Sequence, residues 1–370
     1  MSAFIAAACR SPVAPRDGAL AALLPHQLAT PVIKALLHQA RMTEHDVDEV
    51  IVSAAISSGG NPARSVSLAA GLPERIAGLS IDRQCAGGMD ALLLARQMIL
   101  SGAAEAVIAG GVESYSRQPM RAHTFADGRA PEPYTQAPFT PWPDRDPEVS
   151  QAAAELAEAQ NISRATQDEW AVASHARAMD HPPSTSEVIP IAGLTQDAFT
   201  RRLTPALCTR AKPITGSITA ANAAVAADGA AFCLVVSERI ANRLDLPMTQ
   251  ILGGATLGSE PTCPGLAPLV AIKETFAQTQ LSPDDLSVSE VMEAYAVQAI
   301  ACVRGAGLNP DAVNIGGGAL ARGHPIGASG AINVVRLHHE ILAQDTTTDT
   351  TGLATIAAAG GIGSALILRA

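Results

Sequence analysis

Two short stretches hold residue types that can do chemistry together. Cys85 stands in Arg83-Gln84-Cys85-Ala86-Gly87-Gly88, between an apolar run over 78–82 and a helical pattern that begins near Gly88. A thiol placed there meets free backbone N–H groups and the positive end of the helix dipole, and both favour the nucleophilic thiolate. Gly87 and Gly88 let an acyl group come close to the backbone. A small buried thiol is the commoner fate of a cysteine, but it needs neither the strand-turn-helix setting nor the glycines. His324 stands in Ala321-Arg322-Gly323-His324-Pro325-Ile326-Gly327-Ala328-Ser329-Gly330. Pro325 fixes the backbone after the imidazole, and the small residues beyond it let the next helix pack closely. A histidine held this way can take a thiol proton or donate to a thioester oxygen. The remaining histidines, including His338 and His339 on what reads as a polar helix face and His123 in a loop, are expected in solvent. Cys9, Cys208, Cys233, Cys263 and Cys302 are scattered without CxxC spacing, so neither a metal site nor a disulfide framework is expected.

The elements that must position these residues repeat along the chain. A helical run over 31–42 leads through Thr43-Glu44-His45-Asp46 into an apolar strand over 50–56; much later a helical run over 269–278 leads through Ser282-Pro283-Asp284-Asp285 into Val291. After the first comes the Cys85 turn, a helix to about Ser101, and a strand from Ala104 that meets Gly110-Gly111. After the second comes Gly323-His324-Pro325, a helix over 328–344, and a strand from Leu353 that meets Gly360-Gly361. Two α/β halves of one design follow, and their Val-, Ile- and Ala-rich strands predict mostly parallel sheets covered by helices. The expected units are 1–114 with 213–240 as the N-terminal half, 115–212 as an inserted loop domain, and 241–370 as the C-terminal half. Within the insertion, 115–150 reads as a long ordered loop. A helix over 161–179, capped by Ser163, is expected to pack through Ala165, Trp170, Ala173, Ala176 and Ala178.

Composition excludes several roles. With 370 residues, 48% of them hydrophobic and 16% charged, the chain can bury a large core. Its net charge of -10 opposes nucleic-acid binding, and no Lys/Arg-rich stretch offsets it. The apolar run over 352–368 contains four glycines and falls short of the roughly 18 to 20 apolar residues of a membrane span, so it reads as buried strands. Met1 to Cys9 lacks a basic start and Arg10 follows at once, so no secretory signal is expected and the protein is expected in the cytoplasm.

The chain resembles the thiolases of the thiolase and β-ketoacyl synthase superfamily along essentially its whole length. The resemblance rests on Ala6-Ala7-Ala8-Cys9-Arg10-Ser11-Pro12, Arg83-Gln84-Cys85-Ala86-Gly87-Gly88, Ala109-Gly110-Gly111-Val112-Glu113-Ser114, and Thr219-Ala220-Ala221-Asn222-Ala223 with Ala227-Asp228-Gly229-Ala230-Ala231. It continues through Met292-Glu293-Ala294-Tyr295-Ala296 and Gly316-Gly317-Gly318 with the His324 stretch, all in family order. It implies a five-layered α-β-α-β-α fold of two halves with the active site between them. It also implies an oligomer, dimer or tetramer, with a hetero-subunit as an alternative, and an acyl-CoA or acyl-carrier thioester as substrate with no further cofactor. Cys85 becomes the acyl-accepting nucleophile and His324 its activator. The oxyanion hole is assigned to the backbone of Cys85 and Ala359, and contacts to substrate fall on Ala220, Ala224, Leu257, Met292, Ala294 and Tyr295. With only Lys34, Lys212 and Lys273 as lysines, CoA phosphates would meet arginines such as Arg201, Arg202 or Arg210.

Departures from the family pattern divide the reaction. The second catalytic cysteine, which handles the α-proton of an attacking acetyl group, falls on Ala357. The Asn of Asn-Glu-Ala-Phe falls on Met292, the pantetheine-contacting serine on Ala224, and the His-Met pair near the acyl pocket has no match around Glu148-Val149. Acyl transfer to Cys85 survives these losses; carbon–carbon bond formation loses its base. The expected function is therefore an acyltransferase that loads Cys85 and passes the acyl group to an acceptor. The alternatives are an ordinary acetyl-CoA C-acyltransferase with a substitute base, and a catalytically reduced partner subunit.

Overall fold

The computed structural model describes residues 2–56, 59–344 and 350–370, so Met1, the first residue of the expected N-terminal half, lies outside it. The first half runs β1 (Ala3–Arg10), α1 (Pro25–Gln39), β2 (Glu49–Ser53), α2 (Pro62–Ala70), β3 (Leu79–Ile81), α3 (Gly87–Leu100) and β4 (Ala106–Glu113). After an excursion that holds α4 (Val149–Ala159) and α5 (Arg164–Asp180), it closes with β5 (Ala227–Ser237). The second half runs β6 (Thr249–Gly258), α6 (Ala267–Thr279), β7 (Val288–Val291), α7 (Ala296–Ala306), α8 (Ile326–Leu342), β8 (Thr351–Ala358) and β9 (Ile362–Arg369).

The strands pair in the order β7-β8-β9-β6-β1-β5-β4-β2-β3, and the path divides at its middle into two sheets, one per half, linked only by two residue pairs between β1 and β6. Read outward from that seam, β1-β5-β4-β2-β3 is matched by β6-β9-β8-β7, and a lone bridge from Ser289 to Val313 stands where a fifth strand would be. The duplication expected from sequence is thus present strand for strand. The expected parallel sheet is not. Only β2 with its two neighbours and β7 with β8 run parallel; every pairing across the middle is antiparallel. Uninterrupted apolar strands report burial on both faces, which these sheets have, and burial carries no information about direction. Direction came from the connections: β8 and β9 are joined by a three-residue turn, which forces a hairpin.

Side chains of β5 sort by alternation. Ala231, Cys233 and Val235 face the central layer, while Ala230, Phe232, Leu234 and Val236 face α1 and α2. In the second half, Ala354 and Ile356 face the centre and Leu353 and Ile367 face α6 and α7. The layers are α1/α2, sheet, α3/α8, sheet, α6/α7, the five-layered arrangement. The two central helices cross on glycines: a Cβ on Gly330 would lie 2.6 Å from the Met89 nitrogen, and one on Gly88 would lie 2.7 Å from the Ala331 nitrogen. Clamped between both sheets, α8 is buried around its whole circumference over 327–338. His338 is therefore enclosed beside Thr249, and His339 donates from Nε2 to the Ala8 carbonyl at 2.8 Å. This corrects the solvated positions expected for them; His123 is exposed as expected.

The excursion packs on α7 through Ala153, Leu156, Ala171, Val297 and Ile300. Within it, 115–150 is mostly exposed and holds one small hairpin, 121–123 with 132–134. Ser163 caps α5 by accepting from the Thr166 N–H at 3.1 Å. The buried face of α5 is not the alanine-rich one but Gln167, Ala171, Ser174 and His175, whose polar groups meet the Ile162 carbonyl and Ser217, Glu293, and the Arg201 N–H respectively.

Candidate active site

β3 ends at Ile81, and the chain turns at once into α3 through a single 3-10 turn that carries Cys85. Gln84 sits in the left-handed region with φ 52, a conformation costing a non-glycine residue about 1–2 kcal/mol, and its N–H is held by Asp82 Oδ1 at 2.8 Å. This strained residue aims the sulfur of Cys85 away from the helix and into a cavity. On the other side, Gly323 adopts φ 109, where a side chain would be strained, and the His324 N–H bonds the Val225 carbonyl at 2.8 Å. His324 thus hangs at the start of α8 as Cys85 hangs at the start of α3. The two are 239 residues apart in sequence, and Cys85 Sγ lies 3.2 Å from His324 Nε2.

Ser329 decides which imidazole nitrogen carries the proton. Its hydroxyl donates to the Pro325 carbonyl at 2.9 Å, and its oxygen lies 2.6 Å from His324 Nδ1. With the hydroxyl proton on the Pro325 carbonyl, the matching tautomer carries its proton on Nδ1, donates it to Ser329 Oγ and leaves the Nε2 lone pair facing the thiol. Burial pushes His324 down to about 4, so the imidazole is neutral at physiological pH. Burial, with smaller contributions from Glu113 and Asp82, pushes the Cys85 thiol up to about 12. The sulfur meets water only through the cavity; the protein around it does the desolvating. In place of the thiolate expected from the helix terminus, burial favours a neutral thiol–imidazole pair, an arrangement in which an imidazole can take a thiol proton during attack.

The cavity in front of this pair holds about 460 Å³ and is lined by residues of both halves and of the excursion. Two family models match the chain: the thiolase N-terminal domain over residues 3–239 and the thiolase C-terminal domain over residues 246–370. The chain belongs to the thiolase family. YhfS of Bacillus subtilis (strain 168) is 40% identical, covering 100% of this chain and 99% of that protein. The crystal structure of the Bacillus anthracis acetyl-CoA acetyltransferase superposes with a TM-score of 0.91 at 32% identity, covering 100% of this chain and 98% of that one. Human mitochondrial 3-ketoacyl-CoA thiolase in complex with CoA superposes with a TM-score of 0.92 at 27% identity, again over 100% and 98%. This thiolase is accordingly an acyltransferase.

Its cavity brings together Cys85, His324, Ala224, Ala294, Tyr295, Ala357 and Ala359. Met292, Leu257 and Ala220 are not among the lining residues. Met292 is sealed in the core between the sheets, and Leu257 and Ala220 are exposed. Arg201, Arg202 and Arg210 lie at the surface. Cys85 is the only cysteine on the cavity wall among the described residues. Sequence reasoning quoted Glu113 and Glu293 only as parts of motifs, yet both build the site. Glu113, fully buried, accepts the N–H groups of Ala55 and Gly327, each at 3.0 Å, and so ties the loop after β2 to the start of α8. Glu293 accepts from Trp170 Nε1 at 2.9 Å, Ser174 Oγ at 2.7 Å, Asn314 Nδ2 at 2.8 Å and the Leu320 N–H at 3.2 Å, fastening α5 to the loop that leads to His324. Their signal was a charged residue inside an apolar strand end, which is rare unless it is paired.

Proposed function

We propose that this thiolase takes an acyl group from an acyl-CoA thioester onto Cys85 and transfers it to an acceptor that supplies its own nucleophile. The reading rests on one observation: the Cys85 sulfur lies 3.2 Å from His324 Nε2, on an imidazole whose Nδ1 lies 2.6 Å from Ser329 Oγ. The Cys85 proton moves to His324 Nε2 as the sulfur attacks the thioester carbonyl. The C–S bond to CoA breaks, and the departing CoA sulfur takes the proton back, leaving an acyl-Cys85 thioester and a neutral His324. Backbone N–H groups at Cys85 and Ala359 are proposed to hold the oxyanion. The CoA complex of the human relative supports CoA as the carrier.

A carbon nucleophile made from acetyl-CoA needs a base for the α-proton, and the wall opposite the thiol presents Ala357, whose methyl group cannot serve. The proposed acceptor therefore brings its nucleophile ready-made. A second reading, a full C-acetyltransferase using another base, is favoured by similarity to the Bacillus anthracis acetyl-CoA acetyltransferase. Incubation with acetyl-CoA followed by intact-protein mass spectrometry separates these. The proposal expects an acetyl adduct on wild type that Cys85→Ser loses, no α-hydrogen exchange with deuterated water, and partial exchange in Ala357→Cys. Absence of any adduct would sink the proposal, and brisk exchange by wild type would establish the second reading.

A further inference from the structure

The cavity wall supplied by residues 115–136 differs in character from that supplied by 149–156. It presents Tyr115, Gln118, Arg121, Thr135 and Gln136, whereas residues 149–156 contribute only Val149, Ala152, Ala153 and Leu156, and polar groups elsewhere on the lining include Asp82, Gln84 and Gln298. Arg121 is half-buried and held in place: Nη2 donates to the carbonyls of Ala55 at 2.9 Å and Ile56 at 3.0 Å. The same two residues donate their N–H groups to Glu113, so Arg121 and Glu113 hold the two sides of this short segment. Three N–H donors remain, one at Nε and two at Nη1. Among the described residues Arg121 makes no ion pair, and nothing uses those donors. A chain of net charge -10 has thus placed a cation without an ion pair in the same cavity as Cys85, where Asp82, whose Oδ1 accepts the Gln84 N–H, is the one carboxylate of the lining. Half-burying a charge without a counter-ion is costly, and the cost is offset when a ligand brings the opposite charge.

Tyr115 completes the arrangement. Its ring lies near enough to Cys85 for the two to interact electrostatically, and its hydroxyl has no hydrogen-bond partner among the described residues. A phenol O–H and a guanidinium are both donors suited to a carboxylate, and the guanidinium gives the stronger, charge-assisted bonds.

We propose that Arg121, with Tyr115, recognises a carboxylate at the far end of the acyl chain, so that the preferred donor is a dicarboxylic acyl thioester of the succinyl class. The inference rests on the reading of Cys85 as the acyl acceptor. Succinyl and butyryl groups have the same number of carbons and differ in the terminal charge, so their ratio isolates the contact. The experiment measures the rate of Cys85 acylation by succinyl-CoA and butyryl-CoA, and by the corresponding pantetheine thioesters, which lack the nucleotide phosphates. Wild type is expected to favour succinyl by roughly 10-fold or more with both carriers, as a hydrogen bond to a charged group supports. Arg121→Met should collapse that ratio to near one, and Arg121→Lys, which keeps the charge, should restore part of it. Thermal unfolding of each variant confirms that the fold is retained.

An equal or reversed ratio in wild type would overturn the inference. So would a loss in Arg121→Met that is the same for both acyl groups and appears only with CoA thioesters, since the arginine would then be meeting a CoA phosphate. Failure of both acyl groups to load wild-type Cys85 would instead overturn the acyl-transfer reading itself.

Discussion

The two halves answer the same structural problem and do different chemistry. Each brings a helix, α3 or α8, into the central layer with its N-terminus at the cavity, and each sets one reactive residue just ahead of that helix. The first half sets a thiol there, the second an imidazole. The corresponding strand ends diverge further. β4 ends on Glu113, a buried carboxylate satisfied by backbone N–H groups, while β8 ends on Ala357 and Ala358, followed by Ala359. Duplication thus supplies two equivalent stages facing one another, and individual side chains decide that one presents a thiol and the other an imidazole. The end of β8 carries neither a thiol nor an imidazole.

The sharpest way to break this division of labour is His324→Ala. General-base assistance is typically worth about 10²–10⁴-fold, and the Cys85 acylation rate should fall by that much in a quenched-flow mass-spectrometric assay. A fall of less than about tenfold would mean that the second half contributes less than a base. Next comes the packing that keeps the halves in register. In Gly330→Ala the new methyl group meets the Met89 backbone, and overpacking of this kind costs about 1–3 kcal/mol. Gly258→Ala, where nothing lies within 4 Å, should leave the denaturant midpoint unchanged. Equal midpoints for the two variants would show that the helix crossing tolerates separation. The smallest effect is expected from Ser329→Ala. Loss of one hydrogen bond to the imidazole should slow acylation by about tenfold, through the wrong tautomer rather than a lost base.

The pH profile distinguishes that positioning role from a merely structural one. Because His324 takes up its proton only near 4, the base form persists as pH falls, and the wild-type acylation rate should stay level from roughly pH 8 to 5. An ordinary imidazole would lose half its base form at 6.5. Stability has the opposite sensitivity. The unfolded chain protonates its histidines near 6.5, while buried His324 and His338 wait until about 4 and 3, so unfolding should become easier as pH drops below 6.5.

Much of the architecture was legible because its cause is local. Apolar runs bounded by glycine-rich turns mark the strands of both halves, and the repeat of helix, acidic turn and strand marks the duplication. Strand direction was not legible, since a strand covered on both faces has the same composition whichever way its neighbour runs. The burial of α8 was hidden for a related reason. His338 and His339 look like a polar face, and only the second sheet on the far side turns that face into core. The buried side of α5 was missed because the burial of Gln167, Ser174 and His175 depends on partners distant in the chain or outside the helix, Ser217, Glu293 and the Arg201 N–H.

Within the site, the sequence by itself determined the chemical types: a cysteine ahead of a glycine-started helix, a histidine between a glycine and a proline, and a run of alanines over 357–359. These are properties of single short stretches. The tertiary structure alone decided that a sulfur and a nitrogen 239 residues apart stand 3.2 Å from one another, and that Ser329 turns the lone pair toward the thiol. It also decided that both groups rest uncharged. A helix terminus can be read from neighbours in the chain, but desolvation depends on everything that surrounds a group in space, and at Cys85 the enclosure outweighs the dipole.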